Sequence, residues 1–274
     1  MEYVEFLRVR RVFVIFATII VVIAILVIAS IMYSSFETSV SGGSAGVIIS
    51  NTSHNGRHKL SSYLQTQTIP LGLLVGIAGY VAIVVATVFA SNLNKENDGL
   101  DFVFVKPIRR EILAMRYIAI DAVAIVAIFS FTIAIELVSL AITHLFDRIV
   151  IDSPAFWVGG LGLGVAFMWY GILQAVTATY PGNGRTIVGF SWGFFLILVG
   201  TGSLTMLGPI FLGIVHVLNS VNPIAYFSQL VSHGSTYEVN SVLGLGLEAR
   251  VLVVWTIALT GMAIAAISWK RVEA

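Results

Sequence analysis

Apolar residues along the chain gather into six blocks that are separated by shorter, more polar segments. The blocks cover about residues 12–33, 69–90, 112–146, 155–179, 186–214 and 249–269. Each block is near or above the roughly 20 residues that a helix needs to cross a hydrocarbon core of about 30 Å. Lipid offers the backbone no hydrogen-bond partners, so such spans fold as helices. The pattern predicts an all-α integral membrane protein with six transmembrane helices in a single transmembrane domain over residues 1–274.

Composition excludes an ordinary soluble domain. Apolar residues make up 58% of the chain and charged residues 11%, whereas soluble domains carry roughly 25% charged residues. The first block exceeds the roughly 7–15 apolar residues of a signal peptide, so we expect it to be a retained span. The net charge of +1 gives no general attraction to nucleic acid. The chain has no cysteine and no metal-ligand spacing among its histidines, and we predict no metal site.

Lysine and arginine set the expected orientation. With the N-terminus in the cytoplasm, eleven of the fifteen cations lie on the inner side and four on the outer side. The inner cations are Arg8, Arg10, Arg11, Lys95, Lys106, Arg109, Arg110, Arg116, Arg185, Lys270 and Arg271. An even number of spans then returns the C-terminus to the cytoplasm. We therefore expect a multi-pass protein of the plasma membrane with both termini inside.

The inner segment of residues 91–110 carries much of the charge together with two aromatic residues, Phe102 and Phe104. One interpretation is a turn between spans whose basic residues, Arg109 and Arg110, bind anionic lipid. The other is a short amphipathic helix that docks on a partner protein. Pro107 would end that helix and begin the third span, because proline is tolerated at the start of a helix and not in its interior. The residues alone favour neither interpretation.

Two segments resemble the type-2 family of ABC transporter permeases. The inner loop of the family is similar to Glu96, Gly99, Leu100, Asp101, Phe102-Val103-Phe104, Pro107, Arg110 and Glu111-Ile112-Leu113. Its outer segment before the last span is similar to Leu218, Asn222-Pro223, Tyr226-Phe227, Leu230 and Gly234. The resemblance implies a coupling helix between spans two and three and a short helical segment before span six.

That resemblance implies a transporter subunit and not an enzyme. Residues that would contact a cytoplasmic ABC ATPase are Glu96, Gly99, Asp101, Phe102, Phe104, Pro107, Arg109 and Arg110. The chain has no G-x-x-x-x-G-K-[ST] loop, so ATP and Mg would be bound by that separate ATPase. A second permease copy or a paralogue would complete the translocation path. The second and fifth spans would line this path, with Tyr80 and Trp192 as candidates.

Polar residues inside spans are costly and are functional candidates. Asp121 and Glu136 in the third span lie within about 60° of each other around the helix. For Asp121 we expect an ion pair near Arg116 or contact with water. Glu136 could face a polar cavity, bond to Gln174 in the fourth span or carry protons, and we favour the hydrogen bond to Gln174 over proton transfer.

Small and aromatic residues complete the predictions for the spans. Glycines in the second and fourth spans predict close helix packing, at Gly72, Gly76, Gly79, Gly159, Gly160, Gly162 and Gly164. Aromatic residues of the fourth and fifth spans are expected to face lipid or the interface, namely Trp169, Tyr170, Phe190, Trp192, Phe194 and Phe195.

Two other classes of function fit the same sequence. A proton-coupled secondary transporter would use Glu136 and Asp121, although the chain shows no repeated halves with broken spans. A non-transporting membrane scaffold or immunity protein would need neither residue. No span carries a nucleophile with a base, so no catalytic residue is predicted.

Overall fold

The computed structural model describes residues 2–41, 69–90, 110–151, 155–180, 184–199 and 246–270. Its helices are α1 (Glu2–Ser41), α2 (Leu71–Phe89), α3 (Arg110–Ile142), α4 (Ala155–Thr179), α5 (Gly184–Val199) and α6 (Leu247–Lys270). Five of them contain apolar stretches long enough to cross a membrane: Val9–Ile31, Leu71–Phe89, Ile112–Ile142, Ala155–Thr179 and Leu247–Ser268. The chain is therefore a helical, multi-pass membrane protein, as its apolar pattern predicts. Part of the fifth predicted block, residues 200–214, lies outside the described residues.

Helix α4 occupies the centre of the described bundle. The buried share of its apolar stretch is 67%, compared with 61% for α2 and 6% for α1. α4 packs most extensively against α6 and next against α2, whereas α1 packs mainly on α3. Phe13 of α1 meets Phe131 of α3 edge to face, with ring centroids 6.0 Å apart. The core thus lies between α2, α3, α4 and α6, and α1 lies at its edge.

The contacts along α4 give the direction of each neighbour. On α2, Thr87 bonds Trp169 and the later residue Ala90 bonds the later residue Thr177, so the two helices are parallel. The side chain of α6 nearest to Gly160 is that of Val251, and Ala258 lies against Gly171, so α6 is also parallel to α4. Helix α3 runs the other way: Asp121 bonds Tyr170, whereas Phe129 lies beside the earlier residue Gly162.

Glycines let α6 approach α4 at two places. Gly164 lies under the indole of Trp255, where an added Cβ would come within 2.8 Å of Nε1. The same nitrogen donates a hydrogen bond to the carbonyl of Gly160, at 3.0 Å. Further along, Gly171 and Gly261 meet backbone to backbone, and a Cβ on Gly171 would lie 2.6 Å from the carbonyl oxygen of Ala258. Among the glycines predicted to pack closely, those of α2 and Gly162 and Gly164 of α4 are buried. A Cβ added at Gly159 would meet no atom of the described residues within 4 Å.

Helix α3 ends four residues before the predicted boundary at residue 146. The backbone of His144 is left-handed, with φ of 56°. The amide of Leu145 bonds the carbonyl of Leu140 at 2.8 Å, and that of His144 bonds Ala141 at 3.2 Å. This is the Schellman arrangement that closes a helix, which usually has glycine at the left-handed position. The apolar residues Leu145 and Phe146 continue the pattern past this cap, which is why the predicted end is too late.

A short pair of strands follows the end of α3. Residues Phe146–Arg148 form one turn of 3-10 helix, and Ile149–Val150 (β2) then pairs in parallel with Ile69–Pro70 (β1). Because β1 directly precedes α2, this pairing joins the start of α2 to the segment after α3.

We predict that Gly171→Ala destabilises the protein and that Gly159→Ala does not. At Gly171 the new methyl group meets the backbone of α6, which has no flexible side chain to move aside. Overpacking of this kind costs about 1–3 kcal/mol. Chemical unfolding of the purified protein in detergent micelles measures the difference. At Gly159 the methyl group enters open space, and alanine favours a helix by about 1 kcal/mol over glycine. Equal stability of the two variants would contradict the close contact between α4 and α6.

Candidate functional site

A chain of polar side chains lies in the core between α3 and α4. The Tyr170 hydroxyl donates a hydrogen bond to Oδ2 of Asp121 at 2.7 Å. It accepts a hydrogen bond from Nε2 of Gln174 at 2.9 Å. Asp121 is 1% exposed, and Tyr170 and Gln174 are fully buried. Burying such groups is unfavourable unless they bond one another, so this chain fixes α3 against α4 at one depth.

The same face of α4 holds the last turn of α2. A helix ends with carbonyl groups that have no partner in the helix, and lipid supplies none. The Thr177 hydroxyl lies 3.0 Å from the carbonyl of Ala90 and 2.9 Å from that of Leu173 in its own helix, and its single proton is shared between them. Gln174 donates a longer hydrogen bond to the carbonyl of Phe89 at 3.4 Å. One turn earlier, the indole of Trp169 donates to the hydroxyl of Thr87 at 2.9 Å. Helix α4 therefore caps the end of α2 from a distant part of the sequence.

We name this arrangement the polar junction. It comprises Thr87, Phe89 and Ala90 at the end of α2, Asp121 of α3, and Trp169, Tyr170, Gln174 and Thr177 of α4. Ala90 is also the last described residue before the charged inner segment. The polar junction therefore lies where the chain leaves α2 for that segment.

The structure corrects two predictions about these residues. Asp121 does not face water, because it is buried and accepts the Tyr170 hydroxyl. Trp169 and Tyr170 do not face lipid: they are 3% and 0% exposed, since small neighbours let α2, α3 and α6 close around α4. In contrast, Phe190 and Phe194 of α5 are exposed, as expected. The sequence pointed to Gln174 alone on this face; Thr177, three positions later on α4, is the signal that could have extended it.

The predicted hydrogen bond between Glu136 and Gln174 is wrong. Gln174 lies beside Asp121, and Glu136 is fifteen residues further along α3, which is about 22 Å on a helix. Glu136 comes one turn after the buried Thr132 and so continues the face of α3 that points into the bundle. Neither of its carboxylate oxygens has a hydrogen-bond partner among the described residues, and both are shielded from solvent. The Oε1 atom of Gln174 also lacks a partner there.

The other predicted site residues are not brought into the polar junction. The exposed fraction is 42% for Tyr80 on α2 and 38% for Trp192 on α5. Their assignment to a translocation path stays a prediction. The predicted ATPase-contact residues from Glu96 to Arg109 lie outside the described residues, and Arg110 is the first residue of α3. Within the described ranges, no three histidine or acidic side chains come together as a metal site.

Comparisons with protein-family models, with curated proteins and with solved structures find no match to this chain. The resemblance of two segments to type-2 ABC permeases therefore enters the functional argument as a proposal.

We predict that Tyr170→Phe lowers the free energy of unfolding and that Tyr180→Phe leaves it unchanged. The first change removes the donor to Asp121 and the acceptor of Gln174, both of which stay buried. A buried polar group that loses its partner costs about 1–3 kcal/mol. Tyr180 is 62% exposed just after α4, so its hydroxyl has access to other partners. Chemical unfolding in detergent checks both, and a Tyr170→Phe protein as stable as the parent would show that the hydrogen-bond chain contributes nothing.

Proposed function

We propose that this chain is the membrane-spanning permease subunit of an ATP-binding cassette exporter, driven by a separate cytoplasmic ATPase. Two copies, or one copy and a paralogue, would form the translocation path in the plasma membrane. The proposal is supported by the similarity of residues 96–113 and 218–234 to the type-2 permease family. A second support is the position of the polar junction, which lies at the end of α2, directly before the chain enters the first of these segments.

Helix directions support the proposed six spans. α4 and α6 are parallel, so a chain that crosses the membrane in both must cross back an odd number of times between residues 180 and 246. Helix α5 provides sixteen described residues of such a crossing, about 24 Å of the roughly 30 Å required. The apolar block predicted to continue to residue 214 would complete it. With cations concentrated on one side, six spans place both termini in the cytoplasm.

The observation that carries the proposal is that the end of α2 is held by side chains of α4. A helix end usually frays, and a push on a frayed end is absorbed locally. Here the carbonyls of Phe89 and Ala90 are bonded to Gln174 and Thr177, so α2 and α4 move together. An ATPase docked on residues 91–110 would therefore move α2 and α4 as one rigid body, a known form of conformational switching.

The glycine contacts extend that rigid body to α6. Gly171 and Gly261 meet backbone to backbone, and Trp255 lies in the space above Gly164. A force applied by the ATPase at the end of α2 would therefore be transmitted along all three parallel helices, α2, α4 and α6. Tyr80 on α2 and Trp192 on α5 would line the path, and the partial exposure of both rings is compatible with that role.

The deciding experiment is copurification. We expect a tagged form of this chain to retain an ATPase that contains a Walker lysine. Replacing Phe102 and Phe104 together with serine should weaken that complex by roughly 1,000-fold, because buried aromatic anchors contribute about 2 kcal/mol each, which is about 30-fold per residue. Thr177→Val should leave the complex intact and reduce transport per ATP hydrolysed, since it frees the carbonyl of Ala90. Thr256→Val is the matched control, because that exposed hydroxyl bonds only its own helix.

Two outcomes would contradict the proposal. One is an ATPase complex and a transport rate that are unchanged when both phenylalanines are replaced. The other concerns orientation: the chain has no cysteine, so a single cysteine at residue 102 can be labelled selectively. Labelling of that cysteine from outside intact cells would place the proposed docking segment on the wrong side.

A second candidate function, proton-coupled transport, is favoured by Glu136. Its carboxylate is shielded inside a span with no hydrogen-bond partner among the described residues, and such residues mark proton or ion paths by default. This function predicts transport by the purified chain in vesicles without nucleotide, driven by a proton gradient. Glu136→Gln should abolish it, whereas Glu248→Gln, an exposed acid in the first turn of α6, should not. No transport under a proton gradient would exclude this candidate.

A further inference from the structure

A two-residue strand pair lies at the end of α2 opposite the polar junction. Ile69–Pro70 (β1) directly precedes α2 and pairs in parallel with Ile149–Val150 (β2), which follows α3. Helix α2 has 19 residues, so the strand pair lies about 28 Å from the polar junction. One end of α2 is therefore bonded to α4, and the other is bonded to the segment after α3.

The last turns of α3 are less firmly attached to the bundle than the rest of that helix. Before Thr132, α3 is held at Asp121, which accepts the hydroxyl of Tyr170. Thr132 is the last buried residue of the helix, and every residue of 133–142 is half-buried or exposed. Within this stretch, neither carboxylate oxygen of Glu136 has a hydrogen-bond partner among the described residues. The strand pair therefore supplies a connection to α2 where the side chains of α3 supply little.

The segment between α3 and β2 joins the movement of the strand to that of the helix. The amide of Leu145 bonds the carbonyl of Leu140, and the amide of Arg148 bonds the carbonyl of Leu145. These successive hydrogen bonds make the last turns of α3 and β2 move together. A bend is favoured just before those turns, because the Thr132 hydroxyl donates to the carbonyl of Ile128 at 2.8 Å, and such bonds often bend a helix.

The strand pair is short enough to break and form again. It joins two residues of each strand, whereas strands in globular proteins usually have about 3–10 residues. Proline has no N–H group, so Pro70 donates no hydrogen bond to the pair. Parallel pairing is also slightly less stable per residue than antiparallel pairing. A contact of this kind closes one end of a bundle without locking it.

We propose that the pair of β1 and β2 is a strap that holds the last turns of α3 against the start of α2, and that these turns swing away from α2 when the strap opens. The helix bends near Thr132, where its buried face ends. Opening exposes the face of α3 that carries Glu136. This inference rests on the proposed transport function, in which the strap controls release of the substrate at the end opposite the ATPase.

The test joins the two strands by a disulfide. Neighbouring strands lie about 4.8 Å apart, within the roughly 4.4–6.8 Å between Cα atoms that a disulfide spans. The chain has no cysteine of its own, so only introduced cysteines can react. Oxidation of the double variant Ile69→Cys and Ile149→Cys should stop transport and leave the ATPase bound, and reduction should restore transport.

The matched control is a disulfide between α4 and α6, which move as one body. It combines Gly160→Cys with Val251→Cys, because a Cβ added at Gly160 would lie 3.6 Å from Cγ1 of Val251. We expect this variant to transport at the same rate whether oxidised or reduced. An oxidised Ile69→Cys and Ile149→Cys protein that transports as fast as its reduced form would overturn the proposal.

Spin labels on the same four cysteines give a readout that does not depend on transport. In electron paramagnetic resonance of the purified chain in vesicles, we expect labels at residues 69 and 149 to show a close and a separated population. Labels at residues 160 and 251 should stay close. A single close population at the strands would show that the strap does not open. Two populations in a protein that transports nothing would keep the strap and reject the proposed function. If the first pair does not fold, the other register pair, Pro70→Cys with Val150→Cys, carries the same test.

Discussion

The described bundle depends on satisfying the end of α2, which is buried within the protein: Phe89 and Ala90 are 1% and 0% exposed. The last carbonyls of a transmembrane helix must find partners, and here they find the side chains of Gln174 and Thr177. Tyr170, one turn before Gln174 on α4, brings Asp121 of α3 into the same set of bonds. One face of α4 thus holds two other helices at a common depth. That face therefore supplies a hydrogen-bond donor to a buried carboxylate and to the end of a helix.

Glycine contacts make this arrangement possible by bringing backbones together. Side chains as short as threonine reach a neighbouring carbonyl only if the helices approach closely, and small residues permit that approach. About 100° around α4 from that face, Gly171 and Gly261 remove any space between α4 and α6. The close packing there contrasts with a groove between α6 and α3, which is lined by Ala119 and Ala122 of α3 and by Ala263 and Ala266 of α6. Helix α6 is therefore fixed by α4 and borders α3 only loosely along the groove.

The two acidic residues within the apolar stretch of α3, Asp121 and Glu136, differ in their hydrogen-bond partners. Asp121 has a donor at 2.7 Å and takes part in holding the bundle together. Glu136, on the same helix, has no hydrogen-bond partner within the described part of the chain. The first is explained by structure alone. The second is the observation that keeps a proton-coupled function beside the proposed exporter subunit.

The membrane character, the helical class and the approximate helix positions follow from the sequence by itself, because a bilayer requires long apolar blocks whose backbone bonds stay within each helix. Asp121, Glu136 and Gln174 could also be selected in advance, since polar residues are rare in such blocks. Their partners could not. The bonds of the polar junction join residues 49, 85 and 87 positions apart, and no local pattern encodes which side chains meet across helices. The end of α3 at the left-handed His144, the burial of Tyr170 and the lack of a hydrogen-bond partner for Glu136 among the described residues were likewise decided only by tertiary packing, because each depends on how one helix is positioned against its neighbours.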